Sequence, residues 1–223
     1  TVTGELVLAS GAIGSPQILQ LSGVGPGDLL QEHGIPLVAD VPGVCENLQD
    51  HLQMRLVFKV KNTKTLNLRA NSLIGRVGMG LEYFLFKRGP MTMAPSQLGA
   101  FAKSDEGRET PNLQYHIQPL STAKLGDPLH PFEAFTASVC NLRPESRGHV
   151  RIKSPHPRGQ PAIQPNYLAD PADPQVAAAA IQLTRRILPA PAVARCGAEE
   201  FSPGHQLNTV GHTEPRPGAA GRR

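Results

Sequence analysis

An apolar run at residues 5–10, ELVLAS, leads directly into GAIGSPQILQLSGVG at residues 11–25, and this junction constrains the chain more than any other segment. It reads as a buried strand, a tight glycine turn and a short helix from Pro16 to about Leu21, broken at Gly23. Gly11 and Gly14 admit backbone conformations and close approaches that a side chain would obstruct. Ser15 is placed to cap the helix, and Pro16 suits its first position, where a missing N–H costs nothing. Free N–H groups at a helix start attract a phosphate or an electron-rich ring edge, so the chemistry on offer is anion or cofactor contact. On turn chemistry alone, an ordinary strand-to-helix turn of an α/β domain reads the same way.

Downstream, Pro26 opens a second short helix, Gly27 to His33, which Gly34 ends. An irregular loop, PGVCENLQDH at 42–51, then enters a segment of clear alternation. Leu52, Met54, Leu56, Phe58 and Val60 fall on one face and Gln53, Arg55, Lys59 and Lys61 on the other, the pattern of a half-buried antiparallel strand. Ser72 caps a helix in which Leu73, Val77, Leu81, Phe84 and Leu85 recur at helical spacing, and which ends at Lys87, Arg88 and Gly89. Further strands are expected at 99–103, 113–119, 135–143 and 150–153. Several of their connections are too short for crossover helices, so at least part of the sheet is antiparallel. Asp170 or Asp173 caps a last helix, 175–188, which Pro189 and Pro191 stop. After Phe201 the composition turns to Gly, Pro and Arg without apolar periodicity, which predicts a disordered tail.

Composition excludes several classes. No run of about 18 apolar residues indicates a membrane span. The formal charge of +4 is spread along the chain, and aromatics make up 4% of it, too few for a base-stacking platform, so nucleic acid is not the expected partner. Cys45, Cys140 and Cys196 form no C-x-x-C pair, which signals neither a metal site nor a disulfide framework and favours a reducing compartment. The chain begins TVTGEL, with neither an initiator Met nor a charged-then-apolar leader, and so reads as an internal piece with no signal peptide in view. A cytoplasmic or membrane-peripheral location is expected.

With these residues in view, GAIGSPQILQLSGVG resembles the second sequence motif of the glucose-methanol-choline (GMC) flavoprotein oxidoreductases. ELVLAS is similar to the FAD-contacting strand before that motif, and PGVCENLQDH to the family's PGVGENLQDH loop. Arg88 to Pro90 with Gly99 to Ser104 resembles its GP…GAF stretch. The segment from Asn141 to Leu188, NLRPESRGHV and onward, resembles the start of the family's C-terminal region, where an RP-x-S-x-G-x-V hairpin precedes a Pro-rich loop and a helix. The resemblance covers about residues 4–203.

That resemblance implies a mixed α/β (α+β) chain. It holds part of an FAD-binding Rossmann-like domain (1–51), a substrate domain with a mostly antiparallel sheet and flanking helices (52–142), the start of the C-terminal region (143–201) and an aberrant tail (202–223). It implies FAD as cofactor, with contacts from Ala9, Ser10, Gly11, Ala12, Ser15, Pro16, Asn47, Asp50 and His51. It further implies an alcohol substrate, choline-like or aliphatic, whose hydride passes to the flavin, and an electron acceptor such as oxygen or a quinone. A non-redox FAD-containing lyase and an inactive remnant or binding module of the same fold are the alternatives. By the same resemblance the strands from Leu52 form the wall facing the substrate cavity.

Three departures qualify the match. The family's G-x-G-x-x-G pyrophosphate loop is not in the sequence. Cys45 replaces the second glycine of PGVG and would be strained if that position needs a positive φ. The family's catalytic His lies in an HPVGT-like segment that neither GHQLN around His205 nor VGHTE around His212 matches, so no catalytic residue is assigned and no metal is expected. Asp50 and His51 also fit a turn-forming pair, and Asn47 fits a loop-backbone contact. His116, between Gln114 and Gln118, reads as part of a polar sheet face. Cys140 reads as a buried small hydrophobe, and Arg143, Arg147 and Arg151 as a solvated hairpin face.

Overall fold

The structure is a computed structural model that describes residues 3–124 and 126–204. In chain order its elements are α1 (Gly11–Leu21), β1 (Val24–Gly25), α2 (Gly27–Glu32), β2 (Ala39–Asp40), β3 (Gln53–Lys59), α3 (Leu66–Asn71), α4 (Leu73–Phe86), a 3-10 turn (Pro90–Thr92), β4 (Leu98–Ala102), β5 (Leu113–Gln118), β6 (Ala134–Asn141), β7 (His149–Arg151), β8 (Ala162–Gln164), α5 (Ala172–Ile187), α6 (Pro191–Ala194) and β9 (Glu199–Ser202). They divide into two compact units, Thr1–Asp50 with Pro144–Asp173, and His51–Arg143 with Pro174–Arg223.

The first unit is built around α1. Residues 5–10 carry no strand, and Leu6 and Val7 are 74% and 79% exposed. This corrects the expected buried strand, and the reason is pairing. A strand buried on both faces is held by neighbours in a sheet, and no described segment pairs with this one. The helix also begins earlier than expected, at Gly11, whose φ of +77° suits glycine. Pro16 therefore lies inside α1 rather than at its first position. Ser15 caps nothing in the expected sense; its Oγ accepts the N–H of Ser10, 3.1 Å away, which ties the entering chain to the first turn. Gly14 is required by contact, since a Cβ there would stand 2.9 Å from Ser10 Cβ.

Gln20, fully buried, fastens α1 to β7. Its Nε2 donates to the carbonyl of Val150 and its Oε1 accepts the N–H of Ile152, both at 3.0 Å. One side-chain amide thus satisfies two backbone groups as a neighbouring strand would. β7 pairs antiparallel with β8, and β1 pairs with β2 in parallel. The turn before β7 is clamped by Asp173. The Ser146 hydroxyl donates to Oδ2 at 2.5 Å, and the N–H groups of Glu145 and Ser146 each donate at 2.9 Å. Asp170 serves the start of α5 instead, its Oδ1 accepting the N–H of Ala172 at 2.8 Å.

The second unit holds a five-stranded antiparallel sheet in the order β4-β5-β6-β3-β9. Leu56, Phe58, Leu113, Tyr115, Ala137 and Val139 share one face and bury themselves against Val176 and Ala180 of α5. The Tyr115 hydroxyl donates to the carbonyl of Ala180 at 3.2 Å, so even the polar tip of the core is satisfied. The alternation expected in β3 is present, but Val57 on the opposite face is buried as well, because β3 is an inner strand between β6 and β9. At the margin, Arg185 of α5 grips Glu200 of β9 with two contacts of 2.8 and 2.9 Å, and the Glu200 side chain is 0% exposed. Asn67 of α3 ties the loops together: Nδ2 donates to Ser121 Oγ and to the Phe132 carbonyl, both at 2.9 Å, and Oδ1 accepts the Ser121 N–H at 2.8 Å.

Ser72 caps α4 as its sequence predicts, accepting the N–H of Gly75, and Lys87 ends it in the left-handed conformation. None of its residues is buried, and Ile74 and Phe84 stand 85% and 75% exposed. No described helix is long and apolar enough to cross a membrane. Ser202, placed in the tail by composition, belongs to β9, and the rest of that tail from 205 onward lies outside the described residues. β8, β9 and α3 are further elements that composition does not announce, each of six residues or fewer.

Two outcomes follow from these clamps. Arg185→Met takes the countercharge from the buried Glu200 carboxylate, which keeps the Gly204 N–H at 3.1 Å, and should destabilise the second unit by about 3 kcal/mol in a urea titration. Burial works to raise the Asp173 carboxyl, but the Ser146 hydroxyl, the two backbone N–H groups and the Arg147 charge outweigh it and hold the pKa below the ordinary aspartate value. Its contribution is therefore complete above the unfolded-state value, about 4, and is lost as pH falls through the lower folded value. Asp173→Asn should lower stability at neutral pH and flatten the acid limb of the stability curve, as followed by circular dichroism.

Candidate functional site

In the first unit, α1 and the loop before β3 converge on a cavity of about 310 Å3. Ala12 and Pro16 line it from α1, Cys45, Glu46, Asn47 and Gln49 from the loop, and Val150 from β7. The first turn of a helix carries N–H groups without intrahelical acceptors, and Ser10 supplies no side-chain cap to absorb them. Gly11, Ala12 and Ile13 are exposed. The result is a rim of small residues and backbone donors beside a polar loop, which can take an anion or an electron-rich heterocycle edge. Among the described residues no cluster could hold a metal ion.

The loop is held in an uncommon conformation. Cys45 has φ of +91° and Asn47 of +64°; the second is tolerable for Asn, whereas the first is the strain that the Gly-to-Cys departure foreshadowed. Two contacts oppose it. The Cys45 carbonyl accepts the N–H of Val150 at 2.7 Å, and the thiol is buried, donating to Glu46 Oε1 at 3.4 Å. Burial first and the Glu46 carboxylate second push the thiol up to about 11, so it stays protonated and unreactive near neutrality. Glu46 in turn pairs with Arg151 at 2.9 Å, and the guanidinium holds its carboxyl below the usual range.

Of the residues expected at a cofactor, Ala12, Pro16 and Asn47 meet at this cavity. Ala9, Ser10 and Gly11 lie on the exposed approach to α1, and Ser15 is engaged with Ser10. Asp50 accepts a hydrogen bond from the Tyr167 hydroxyl, whose pKa rises to about 12 through burial and then the Asp50 carboxylate. His51 belongs to the second unit, where its Nε2 lies 3.1 Å from the Leu142 carbonyl. His205 and His212 lie outside the described residues. Arg151 is not simply solvated, given its pairing with Glu46. Cys140 is buried as expected. The Tyr167–Asp50 and Arg151–Glu46 contacts join residues more than a hundred positions apart, and nothing local signals them.

Glycine relieves a positive φ that alanine cannot, while both remove the thiol equally. Cys45→Gly should therefore be more stable than Cys45→Ala by about 1–2 kcal/mol, measured by chemical denaturation of the two variants side by side.

Comparison with known proteins identifies the relatives of this chain. Two family models described as GMC oxidoreductase match residues 1–53 and 144–219. The chain is 40% identical over 205 residues to an alcohol dehydrogenase [acceptor] of Pseudomonas putida, covering 92% of this chain and 37% of that protein. It is 41% identical over 209 residues to an oxygen-dependent choline dehydrogenase of Escherichia coli O17:K52:H18, covering 94% of this chain and 37% of that one. The chain thus spans about 37% of the length of the curated relatives it matches. Among solved structures, an FAD-dependent oxidoreductase from Chaetomium thermophilum superposes with a TM-score of 0.78 at 25% identity, over 94% of this chain and 42% of that chain. Formate oxidase of Aspergillus oryzae shares the fold, with a TM-score of 0.85 at 21% identity over 94% of this chain and 41% of that chain. The matched stretches include the α1 junction, the Cys45 loop and the β7–β8 hairpin, and the chain belongs to the GMC oxidoreductase family, whose members are FAD-dependent.

Proposed function

We propose that the protein containing this chain is an FAD-dependent enzyme that oxidises a primary alcohol, and that the cavity beside α1 holds one edge of the cofactor. The observation that carries this reading is the convergence of Ala12 and Pro16 with Asn47 on one cavity, at a helix start whose N–H groups have no side-chain cap. FAD, when bound, supplies a hydride acceptor for the carbinol carbon. The chain's own part is positioning. The backbone of Ala9 to Ala12 and the Asn47 side chain contact the cofactor edge, Ser15 fixes the chain entering α1, and Asp50 with His51 border the flavin environment from their loop. The buried, protonated Cys45 fills space at the floor of the cavity and takes no proton. The substrate is choline-like or aliphatic, the final acceptor is oxygen, a quinone or another oxidant, and the free cysteines fit a cytoplasmic site of action.

Purification of the full-length protein and its visible spectrum test this. A flavin band that bleaches anaerobically on addition of a primary alcohol is the expected result. A flavin band that no alcohol bleaches would point to the lyase alternative, and a protein without flavin to a binding module.

A further inference from the structure

We propose that α4 is a membrane-surface helix, which lies flat in the headgroup layer of a bilayer rich in anionic lipid and turns Leu73, Ile74, Val77, Leu81, Phe84 and Leu85 toward the acyl chains. The inference concerns where the protein works and does not rest on the alcohol-oxidation reading.

The apolar stripe of this helix faces the wrong way for a core. At about 100° per residue the six side chains fall within about 120° of arc, the width of a core-facing stripe. All six are nonetheless exposed, and the half-buried residues of α4 are Gly75, Gly78, Met79, Gly80 and Glu82, which lie outside the stripe. The helix packs on α3 and on the 3-10 turn. Gly75 marks that inner side, since a Cβ there would collide with the Arg69 carbonyl of α3. An exposed apolar face of this extent marks an interaction surface. Fourteen residues make about 21 Å of helix, short of the roughly 30 Å of a hydrocarbon core, so α4 can lie in an interface and cannot cross it.

Charge selects the occupant. From Lys64 to Met93 the sequence carries five cations, Lys64, Arg69, Arg76, Lys87 and Arg88, and one carboxylate, Glu82. Glu82 is already held by Arg69 at 2.9 Å, with Arg88 at 3.9 Å. The Arg76 guanidinium has neither a hydrogen-bond nor an ion-pair partner among the described residues. A second copy of this face would bring the same positive excess against itself, whereas an anionic bilayer neutralises it. At the C-terminal end the cations stand beside rings. Lys87 Nζ lies 5.1 Å from the Tyr83 ring centre and 5.3 Å from that of Phe84, and the Arg88 guanidinium carbon lies 5.0 Å from that of Phe86. Aromatic rings with long cationic side chains suit the headgroup level, where the charged heads reach phosphate while the stripe stays in the acyl layer.

The test is co-sedimentation of the full-length protein with vesicles of phosphatidylcholine alone and of phosphatidylcholine mixed with phosphatidylglycerol, at low and at high salt. Wild type should bind the mixed vesicles about tenfold more tightly at low salt and lose most of that preference at high salt. Ile74→Ser with Phe84→Ser should abolish binding, and Arg76→Gln with Lys87→Gln should reduce the mixed vesicles to the level of phosphatidylcholine alone. None of these side chains is buried, so both double variants should keep the circular dichroism of wild type. No binding of wild type to mixed vesicles, no preference for them, or binding that either double variant leaves intact overturns the proposal. A dimer that Ile74→Ser with Phe84→Ser splits, in a protein that ignores vesicles, overturns it in favour of a second copy. Flavin takes no part in the readout, so an alcohol-oxidising protein that ignores vesicles sinks this inference alone, and a vesicle-bound protein without flavin sinks the enzymatic reading alone.

Discussion

The first unit depends on one buried amide. Gln20 meets the carbonyl of Val150 and the N–H of Ile152 at once, so α1 cannot rotate or slide without stranding two backbone groups away from water. That fixes the angle at which the helix start faces the loop, and hence the cavity that Ala12 and Pro16 share with Asn47. Val150 does double duty, since its N–H also holds the Cys45 carbonyl and keeps the loop in its strained path. Helix, hairpin and loop are thus a single mechanical chain with Gln20 at its centre.

Some of this was legible in the residues and some was not, for reasons of range. Amphipathic periodicity found the strand around Leu56 and the helix near Val176, because each has a face that leaves water, and it found the helix from Leu73 although none of that helix's residues is buried. It failed at Leu6 to Ala9, where hydrophobicity indicated burial but a strand is defined by partners that no described segment provides. It misplaced the start of α1 because Pro16 resembles a first-turn proline, whereas Gly11 with its positive φ is where the helix begins. Short pieces such as β8 and β9 hold too few residues for a period to register.

The candidate site divides in the same way. Ala12, Pro16 and Asn47 could be picked from local turn chemistry and the family resemblance, and they do meet. Glu46 and Gln49 flank Asn47 in its own loop, whereas Val150 joins them only through tertiary packing. The second unit shows the same limit: the cross-strand row of Gly99, His116, Ser138 and Arg55 exists only through the register of β4, β5, β6 and β3.

Pro16, out of place by the rules of helix capping, gives the cavity a second character. Having no N–H, it leaves the Ala12 carbonyl without its i+4 donor inside α1, and both residues line the cavity. The helix that walls the cavity therefore lacks one of its own rungs at the wall itself.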